Sequence, residues 1–242
     1  MASRRNVLQE RFFNSLISGD RVGARAVVDE ALEADYNGKQ IISGLFWPTT
    51  EHLQNLYRND QLSRLSYHYA TRLLHSLVDQ MQLRLEQSER RGVNVLVVCG
   101  PEESEELAAQ MTADLLEANG YEVFFAGGGV ANDEVVEQIG ELNADKLVIF
   151  GAIPSTVPTT RLLIDRLHNI GVCPRLQIII GGGVFNRAEG LAEEIGADLW
   201  GKDPQDVVDV LDSEPSRRMA ADQRTVGRKR RSAPATQRSE AA

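Results

Sequence analysis

The chain has 242 residues, of which 42% are hydrophobic, and this composition is enough to bury one large core or two ordinary ones. No run approaches the roughly eighteen apolar residues of a membrane span, and the first residues lack the features of a secretory signal. We therefore expect a cytoplasmic protein with no membrane partner. The two cysteines, Cys99 and Cys173, show no metal-binding spacing and are expected to be reduced.

The formal net charge of −9 is unevenly distributed. Glu214–Ala242 holds eight basic residues and three acidic ones, which leaves Met1–Ser213 with a formal charge of about −14. An acidic body should repel nucleic acid, so we expect no direct sequence-specific nucleic-acid binding. The segment 214–242 has almost nothing to bury, and we predict a disordered basic tail. A tail that adds solubility is favoured over an arm that docks on nucleic acid or on a partner.

Helical periodicity dominates residues 1–90. Apolar residues between Leu8 and Ile17 space as one helix face, and Asp20 is a candidate cap for a second helix. The segment GKQIISGLFWPTTEHLQNLY should be kinked at Pro48, and a long fourth helix is expected between a cap at Asp60 and Glu89. Short connections between four helices predict an antiparallel bundle.

The pattern changes after Arg91. Short β-branched runs alternate with helical segments five times, in the order VNVLVVCG, YEVFFAG, DKLVIFGA, LQIIIGGG and DLWGK. Strands that are apolar on both faces predict a parallel sheet covered by helices on both sides. The predicted fold class is therefore α/β: an N-terminal four-helix bundle cap over residues 1–90, then a flavodoxin-like, doubly wound, five-stranded parallel sheet over residues 91–213, with strand order 2-1-3-4-5.

In such a sheet, ligands bind at the loops that follow the strands. The first loop leads into four glutamates within Glu102–Glu106, which complement the dipole of the following helix but would repel a phosphate. Strand three ends in Phe150, not in the aspartate that a phosphoacceptor receiver needs for Mg²⁺. Because no catalytic set of Ser, Cys, His and acid can be assembled, we expect no catalytic residues and no enzyme activity of the chain alone.

Glycines fill two of the remaining loops. Gly127–Gly129 follow strand two, and a second triplet follows strand four near two hydroxyl residues of the third loop; these residues are Gly181, Gly182, Gly183, Ser155 and Thr156. Missing side chains let a flat or chain-like ligand approach the backbone closely, although for one triplet alone turn glycines are the preferred explanation. The two triplets together favour a ligand slot.

These features resemble the cobalamin-binding module family. Its members join a four-helix cap to a flavodoxin-like domain with the motif Asp-x-His-x-x-Gly, followed by Ser-x-Leu and Gly-Gly. On this chain the three elements fall at Glu103–Ala108, Gly151–Ile153 and Gly181–Gly182, separated by 42 and 27 residues as in the family. The resemblance covers Gln9 to Leu211. It implies cobalamin as the cofactor, with haem or no cofactor as alternatives.

The chain departs from the family at the ligand positions. The family's histidine binds cobalt from below and its aspartate orients the imidazole, but here Glu105 and Glu103 stand at those two positions. A carboxylate is a poor substitute for imidazole on cobalt. Ala108 replaces the motif glycine, and Gly151 replaces the serine of the second element. The resemblance therefore implies a module without its lower histidine ligand.

The cap keeps part of an aromatic motif. In light-sensing cobalamin repressors, a Trp is followed ten residues later by Glu-His over the upper corrin face, and the same spacing here gives Tyr57, Tyr67 and His68. This spacing implies an aromatic cover for the corrinoid, with His68 as an upper-face metal ligand. The alternative is that His68 is a packing or surface residue of a bundle helix, and this alternative is slightly favoured.

Three functions remain open. The first hypothesis is a non-enzymatic sensor that binds cobalamin or another tetrapyrrole and signals to a regulatory protein partner, as the resemblance to antirepressors of this family implies. The alternatives are a corrinoid carrier subunit of a methyltransferase system, and a degenerate interaction module that has lost its cofactor. Light sensitivity and a homodimer are left open.

Overall fold

The computed structural model describes residues 2–219 except residues 152, 172 and 174. The N-terminal part forms the predicted helical cap. Its elements are α1 (Ala2–Ser18), α2 (Arg21–Glu33), α3 (Gly38–Ile41), a π-helical turn (Ile42–Phe46), α4 (Trp47–Arg58) and α5 (Arg64–Gln82). Because α3, the π-turn and α4 follow one another without a loop, these elements make up the four helical segments of the bundle.

Of the two predicted helix caps, one is confirmed and the other is wrong. The Asp20 carboxylate accepts a hydrogen bond from the Gly23 amide at 2.9 Å, as expected for the start of α2. Helix α5 is capped by Ser63 and not by Asp60, because Asp60 has a φ of +55° and a capping residue needs extended backbone. The helix also ends at Gln82, earlier than predicted.

The expected kink at Pro48 is replaced by the π-turn. Pro48 lies in the first turn of α4, where a residue without an amide hydrogen is tolerated. The change of helical register takes place in Ile42–Phe46, directly before it. Wider hydrogen bonding ahead of the proline accommodates its missing donor, so the chain continues without a sharp break.

The second part is the predicted doubly wound sheet. Its elements are β1 (Asn94–Cys99), α6 (Glu103–Ala118), β2 (Glu122–Gly128), α7 (Asn132–Glu141), β3 (Lys146–Phe150), α8 (Thr156–Ile170), β4 (Gln177–Gly181), α9 (Gly183–Arg187), α10 (Leu191–Ile195), β5 (Leu199–Gly201) and α11 (Pro204–Ser213). The strands lie in the order β2-β1-β3-β4-β5 and every adjacent pair is parallel, which confirms the predicted topology. The loops after β1 and β3 therefore meet at the point where the strand order reverses.

Two apolar clusters cover the two faces of the sheet. The larger one runs from the cap, where it includes Phe12 and Phe46, through Leu107 and Met111 of α6 to Leu211 of α11. The smaller one fills the other face, between the sheet and helices α7, α8 and α10. The cap is therefore packed against the α6 side of the α/β domain.

The ordered chain continues past α11 along the N-terminal edge of the sheet. Nζ of Lys146 donates to the carbonyl oxygen of Pro215 at 2.6 Å, and Nε2 of Gln177 donates to the carbonyls of Glu214 and Arg217, both at 2.9 Å. The first residues of the segment predicted to be a disordered tail are thus bound to the sheet. Residues 220–242 lie outside the described residues.

Within the described part of the chain, no helix has the combination of length and hydropathy that crossing a membrane requires.

Candidate functional site

Glu105 is buried where the loops after β1 and β3 meet. The residue is only 1% exposed. Its two carboxylate oxygens accept hydrogen bonds from the backbone amides of Glu102 at 3.3 Å and Ile153 at 3.4 Å. The carboxylate also lies over Gly100, since a Cβ at that glycine would be 2.1 Å from Oε2. Glu105 therefore bridges the two loops and fills the crevice between them.

The donors at this position do not fit a corrinoid held by a histidine from below. Glu105 is already bonded to its own loops, and no His, Cys, Asp and Glu group of three or more within the described residues has the spacing of a metal site. Burial, with the nearby charges of Glu106 and Glu105, raises the pKa of the Cys99 thiol to about 12. Cys99 is therefore a neutral thiol and a weak ligand.

Glu103 joins the α/β domain to the cap. Its carboxylate accepts a hydrogen bond from the Thr71 hydroxyl at 2.7 Å, and it lies 3.3 Å from Nδ1 of His68 and 3.4 Å from the guanidinium of Arg72. Burial alone would raise the pKa of Glu103, but the hydrogen bond from Thr71 and the neighbouring His68 and Arg72 lower it below its ordinary value. Glu103 is therefore ionised and bound to three residues of α5.

Both ring nitrogens of His68 contact other side chains of the protein. Nδ1 faces Glu103, and Nε2 accepts a hydrogen bond from Nε of Arg64 at 3.3 Å. The structure thus brings the residue predicted as an upper-face ligand into direct contact with the acidic residue of the first motif. Its role as a metal ligand stays a prediction, because binding a metal would require one of these contacts to break.

The predicted aromatic pair is present and lies against the first turn of α6. The rings of Tyr57 and Tyr67 are stacked, with centroids 4.2 Å apart and planes 8° apart. Burial is the main cause of a raised pKa at Tyr67, whose hydroxyl is hydrogen-bonded to Ser104. The side-chain amide of Gln54 also donates to the Ser104 carbonyl at 3.4 Å. A flat ligand placed between the cap and this turn would have to displace these contacts.

Three glycines predicted to bind the cofactor, Gly151, Gly181 and Gly182, leave space for the protein's own atoms. A Cβ at Gly181 would be 2.6 Å from the ring of Phe150, and one at Gly182 would be 2.3 Å from the carbonyl oxygen of Gly151. At Gly151 itself, a Cβ would be 3.0 Å from the hydroxyl of Thr156. The close approach that these glycines permit is therefore made by neighbouring loops in this structure, while Gly183 begins α9.

The hydroxyl residues of the third loop line a cavity of about 440 Å³ on the α7 and α8 side of β1 and β3. Ser155 and Thr156 line it together with Thr159 and Thr160, and the side-chain amide of Asn132, which also lines the cavity, donates to the carbonyl of Thr159 at 3.2 Å. Gly129 of the first glycine triplet also lines this cavity, whereas Gly181 and Gly182 of the second triplet lie outside it, so the structure does not bring the two predicted triplets together in one slot. The assignment of all these residues to cofactor binding stays a prediction.

Sequence reasoning did not include the residues of α5 and α4 that contact the first turn of α6. Thr71, Arg72 and Gln54 hold Glu103 and Ser104, yet none belongs to a recognisable motif. The available signal was the spacing of His68, Thr71 and Arg72 on one helix face. Their partner in another part of the chain becomes visible only in the folded structure.

The comparisons with known proteins agree with this architecture. A family model described as a B12 binding domain matches residues 93–209, and a second B12 binding domain model matches residues 8–82. The chain is 22% identical over 201 residues to trimethylamine corrinoid protein 2 of Methanosarcina acetivorans, and this alignment covers 82% of the chain and 92% of that relative.

Two further relatives have more limited or purely structural similarity. Dimethylamine corrinoid protein 3 of Methanosarcina mazei is 27% identical over 103 residues, or 43% of this chain and 60% of that protein. The solved structure of the Methanosarcina barkeri monomethylamine corrinoid protein superimposes with a TM-score of 0.73 at 17% identity, covering 85% of this chain and 97% of the other. At that identity the superposition shows a shared fold.

Proposed function

The chain belongs to the B12-binding family, and on that premise we propose that it is a corrinoid carrier protein that holds its cofactor without a lower ligand from the chain. The observation that supports the carrier function is the alignment with a corrinoid protein over 82% of this chain and 92% of that relative. This alignment spans both the cap and the α/β domain, so the relative shares both of the parts that flank the loops after the strands.

The carrier function is better supported than the sensor hypothesis. The relatives above are named as corrinoid proteins of tri-, di- and monomethylamine, and none is named as a regulator. The methyltransferase system of the second hypothesis is therefore the proposed setting, and a methyltransferase is the proposed protein partner. Cobalamin is the proposed cofactor, in preference to haem.

The proposed absence of a protein ligand below the cobalt is supported by Glu105. Its carboxylate is buried and accepts hydrogen bonds from the backbone amides of Glu102 and Ile153, so removing it from the crevice would deprive both part-buried amides of this partner. The binding energy must then come from the corrin faces and side chains. On the cap side, the Tyr57 and Tyr67 rings offer the stacking surface.

Loading with cofactor tests this function. The purified full chain is incubated in the dark with hydroxocobalamin, methylcobalamin or haem, passed through a gel-filtration column, and measured by its visible spectrum and cobalt content. We expect close to one cobalamin per chain and little haem. Retention of neither tetrapyrrole would contradict the proposal and support the degenerate interaction module.

The affinities for the two cobalamins distinguish a carrier from a sensor. A carrier alternates between methylated and unmethylated cofactor, so its Kd values for methylcobalamin and hydroxocobalamin should agree within roughly tenfold, whereas a sensor responds only through differential affinity. Tyr57→Ala should weaken both affinities through lost stacking area. Tyr69→Ala is the matched control, because Tyr69 is an exposed tyrosine of α5 in the same cap. This variant should bind like the wild type.

A further inference from the structure

A row of polar side chains lines one edge of the contact between α5 and α6. The pairs His68–Glu103, His75–Gln110 and Gln82–Glu117 are each separated by 35 residues, because the two helices run side by side in the same direction. We call this row the polar seam, and it consists of His68, Thr71, Arg72, His75, Asp79 and Gln82 of α5 with Glu103, Gln110, Asp114 and Glu117 of α6.

Asp114 is the one member of the polar seam with a buried oxygen that lacks a hydrogen-bond partner in the described structure. The residue is 6% exposed, and its Oδ2 atom is buried and unpaired. The neighbouring seam residues are satisfied: Gln110 donates to Asp79 at 2.5 Å, and Gln82 donates to Glu117 at 3.1 Å. An ionised carboxylate in such a position is disfavoured, because no donor stabilises the charge on its buried Oδ2 atom.

The charges around Asp114 increase this effect. Burial raises the pKa of Asp114 to about 7, and the charges of Asp79 on α5 and Glu117 on α6 act in the same direction. Two basic side chains of this region are engaged with other partners: a guanidinium nitrogen of Arg90 lies 3.7 Å from a carboxylate oxygen of Glu117, and Nδ1 of His75 is hydrogen-bonded to Gln110 at 2.9 Å. Among the described residues no acidic group has the spacing of a metal site, so a proton is the group that neutralises Asp114.

We propose that the polar seam is a proton-dependent clasp, which docks the cap on α6 while Asp114 carries a proton and loosens when Asp114 ionises. The apolar part of the same interface stays packed, because the larger cluster continues from the cap into α6. The clasp therefore opens one edge of the contact, next to the first turn of α6. This proposal concerns the chain alone and does not depend on a bound corrinoid.

The direction of the pH dependence follows from linkage. Asp114 has an ordinary pKa of 3.8 and a pKa of about 7 in the docked seam, so docking is strongest below about pH 4. Docking weakens as the pH rises from about 4 to about 7 and is constant above that range, since Asp114 is then ionised in both states. The difference corresponds to a change of at most about a thousandfold in the docking equilibrium.

Hydrogen–deuterium exchange of the full chain tests the clasp. Protection of amides in α5 is compared with protection of β3 and β4 at several pH values between 5 and 8.5, after correction for the intrinsic pH dependence of exchange. We expect α5 to lose protection relative to the two strands as the pH rises from 5, by up to about a hundredfold, and to level off above pH 7. A parallel loss in α5 and in the strands would indicate global destabilisation and overturn the proposal.

Three variants sharpen the test. Asp114→Asn has the same shape without a charge and should keep the protection of the wild type at pH 5 throughout the range. Asp79→Asn removes a repelling charge and should move the loss of protection to lower pH, and it remains informative if Asp114→Asn does not fold. Asp29→Asn, an exposed change on α2, should follow the wild type. An Asp114→Asn variant with the wild-type pH profile would overturn the clasp.

Discussion

Nδ1 of His68 lies 3.3 Å from Oε2 of Glu103, so a cap residue and the first turn of α6 share one polar contact. The same oxygen accepts the hydrogen bond of the Thr71 hydroxyl, and the second oxygen lies near Arg72. Residues at two positions that the family resemblance connects with a cofactor, one on each domain, are thus bound to each other. Breaking this contact is a requirement for any ligand that enters between them.

Glu103→Gln should weaken the cap contact in a pH-dependent way. Because the pKa of Glu103 is lowered in the folded chain, its contribution to stability is present above its ordinary pKa of 4.5 and is lost as the pH falls through the lowered value. At pH 6 the variant should lose roughly 1 kcal/mol of unfolding free energy in urea. The difference from wild type should shrink towards pH 3.

Glu86→Gln is the matched control for this change, because Glu86 is exposed and follows the last turn of α5. It should leave the unfolding free energy nearly unchanged at every pH. A Glu103→Gln variant that is equally destabilised at pH 6 and pH 3 would contradict the assigned role of the carboxylate.

Two truncations distinguish the bound residues after α11 from the rest of the tail. A chain that ends at Ser213 loses the carbonyl of Pro215. The buried ammonium of Lys146 on β3 then has Gln177 on β4 as its remaining hydrogen-bond partner. We expect a loss of roughly 1–3 kcal/mol, or about 3–10 °C in Tm. A chain that ends at Met219 keeps these bonds and should melt within about 2 °C of the full chain.

Equal melting temperatures for the two truncated chains would show that the segment Glu214–Met219 does not stabilise the sheet. Burial is also the main cause of a lowered pKa at Lys146, with a further contribution from Arg218. Lys146→Met should therefore reduce the difference between the two truncations, since it removes the charge that needs the Pro215 carbonyl.

Gly182→Val should destabilise the fold itself. Gly182 has a φ of +113°, and a Cβ there would lie 2.3 Å from the carbonyl oxygen of Gly151, so both strain and overlap oppose a side chain. We expect a loss of roughly 3 kcal/mol or more in unfolding free energy. Cofactor binding by this variant therefore cannot be interpreted without a stability measurement.

Gly140→Ala is the control for the glycine substitution. Gly140 lies in α7 with open space at its Cβ position, so alanine should stabilise the chain by roughly 0.5–1 kcal/mol through helix propensity. A Gly182→Val chain as stable as the wild type would show that the loops after β3 and β4 rearrange at little cost.

Restoring the family motif should create a lower ligand. The triple variant Glu105→His, Glu103→Asp and Ala108→Gly supplies an imidazole, an acid to orient it, and the motif glycine. After loading with cobalamin and reduction to Co(II), electron paramagnetic resonance of ¹⁵N-labelled protein should show a protein nitrogen on cobalt in the triple variant only. A labelled nitrogen in the wild type that persists in His68→Ala would refute our interpretation of Glu105.

The order of strands and the helical cap could be predicted because each depends on local periodicity. Apolar runs such as VNVLVV and the alternation of strands and helices determine the parallel sheet, and the order β2-β1-β3-β4-β5 follows from the doubly wound pattern. The resemblance to the family aligned two motif positions with Glu103 and Glu105. Both residues lie in the first turn of α6, directly after the loop that follows β1.

The contacts of those residues could not be predicted, because they depend on packing between distant segments. Nothing in the sequence near Glu103 indicates that Thr71 will donate to it, since the offset of 32 to 35 residues between partners in the polar seam is set by how α5 docks on α6. The role of the glycines could not be predicted for a different reason. A missing side chain at Gly181 is compatible with a ligand or with the ring of Phe150, and only the structure shows which neighbour fills the space.

The unbroken apolar cluster from Phe46 in the cap to Met111 in α6 bears on how this architecture can change during evolution. A cap that merely covered a ligand could be exchanged between relatives as an independent module. Here the cap supplies part of the core that α6 needs, so residues 91–219 alone would expose apolar surface and fold less cooperatively. Substitutions on the inner face of α5 should therefore be inherited together with compensating substitutions on α6.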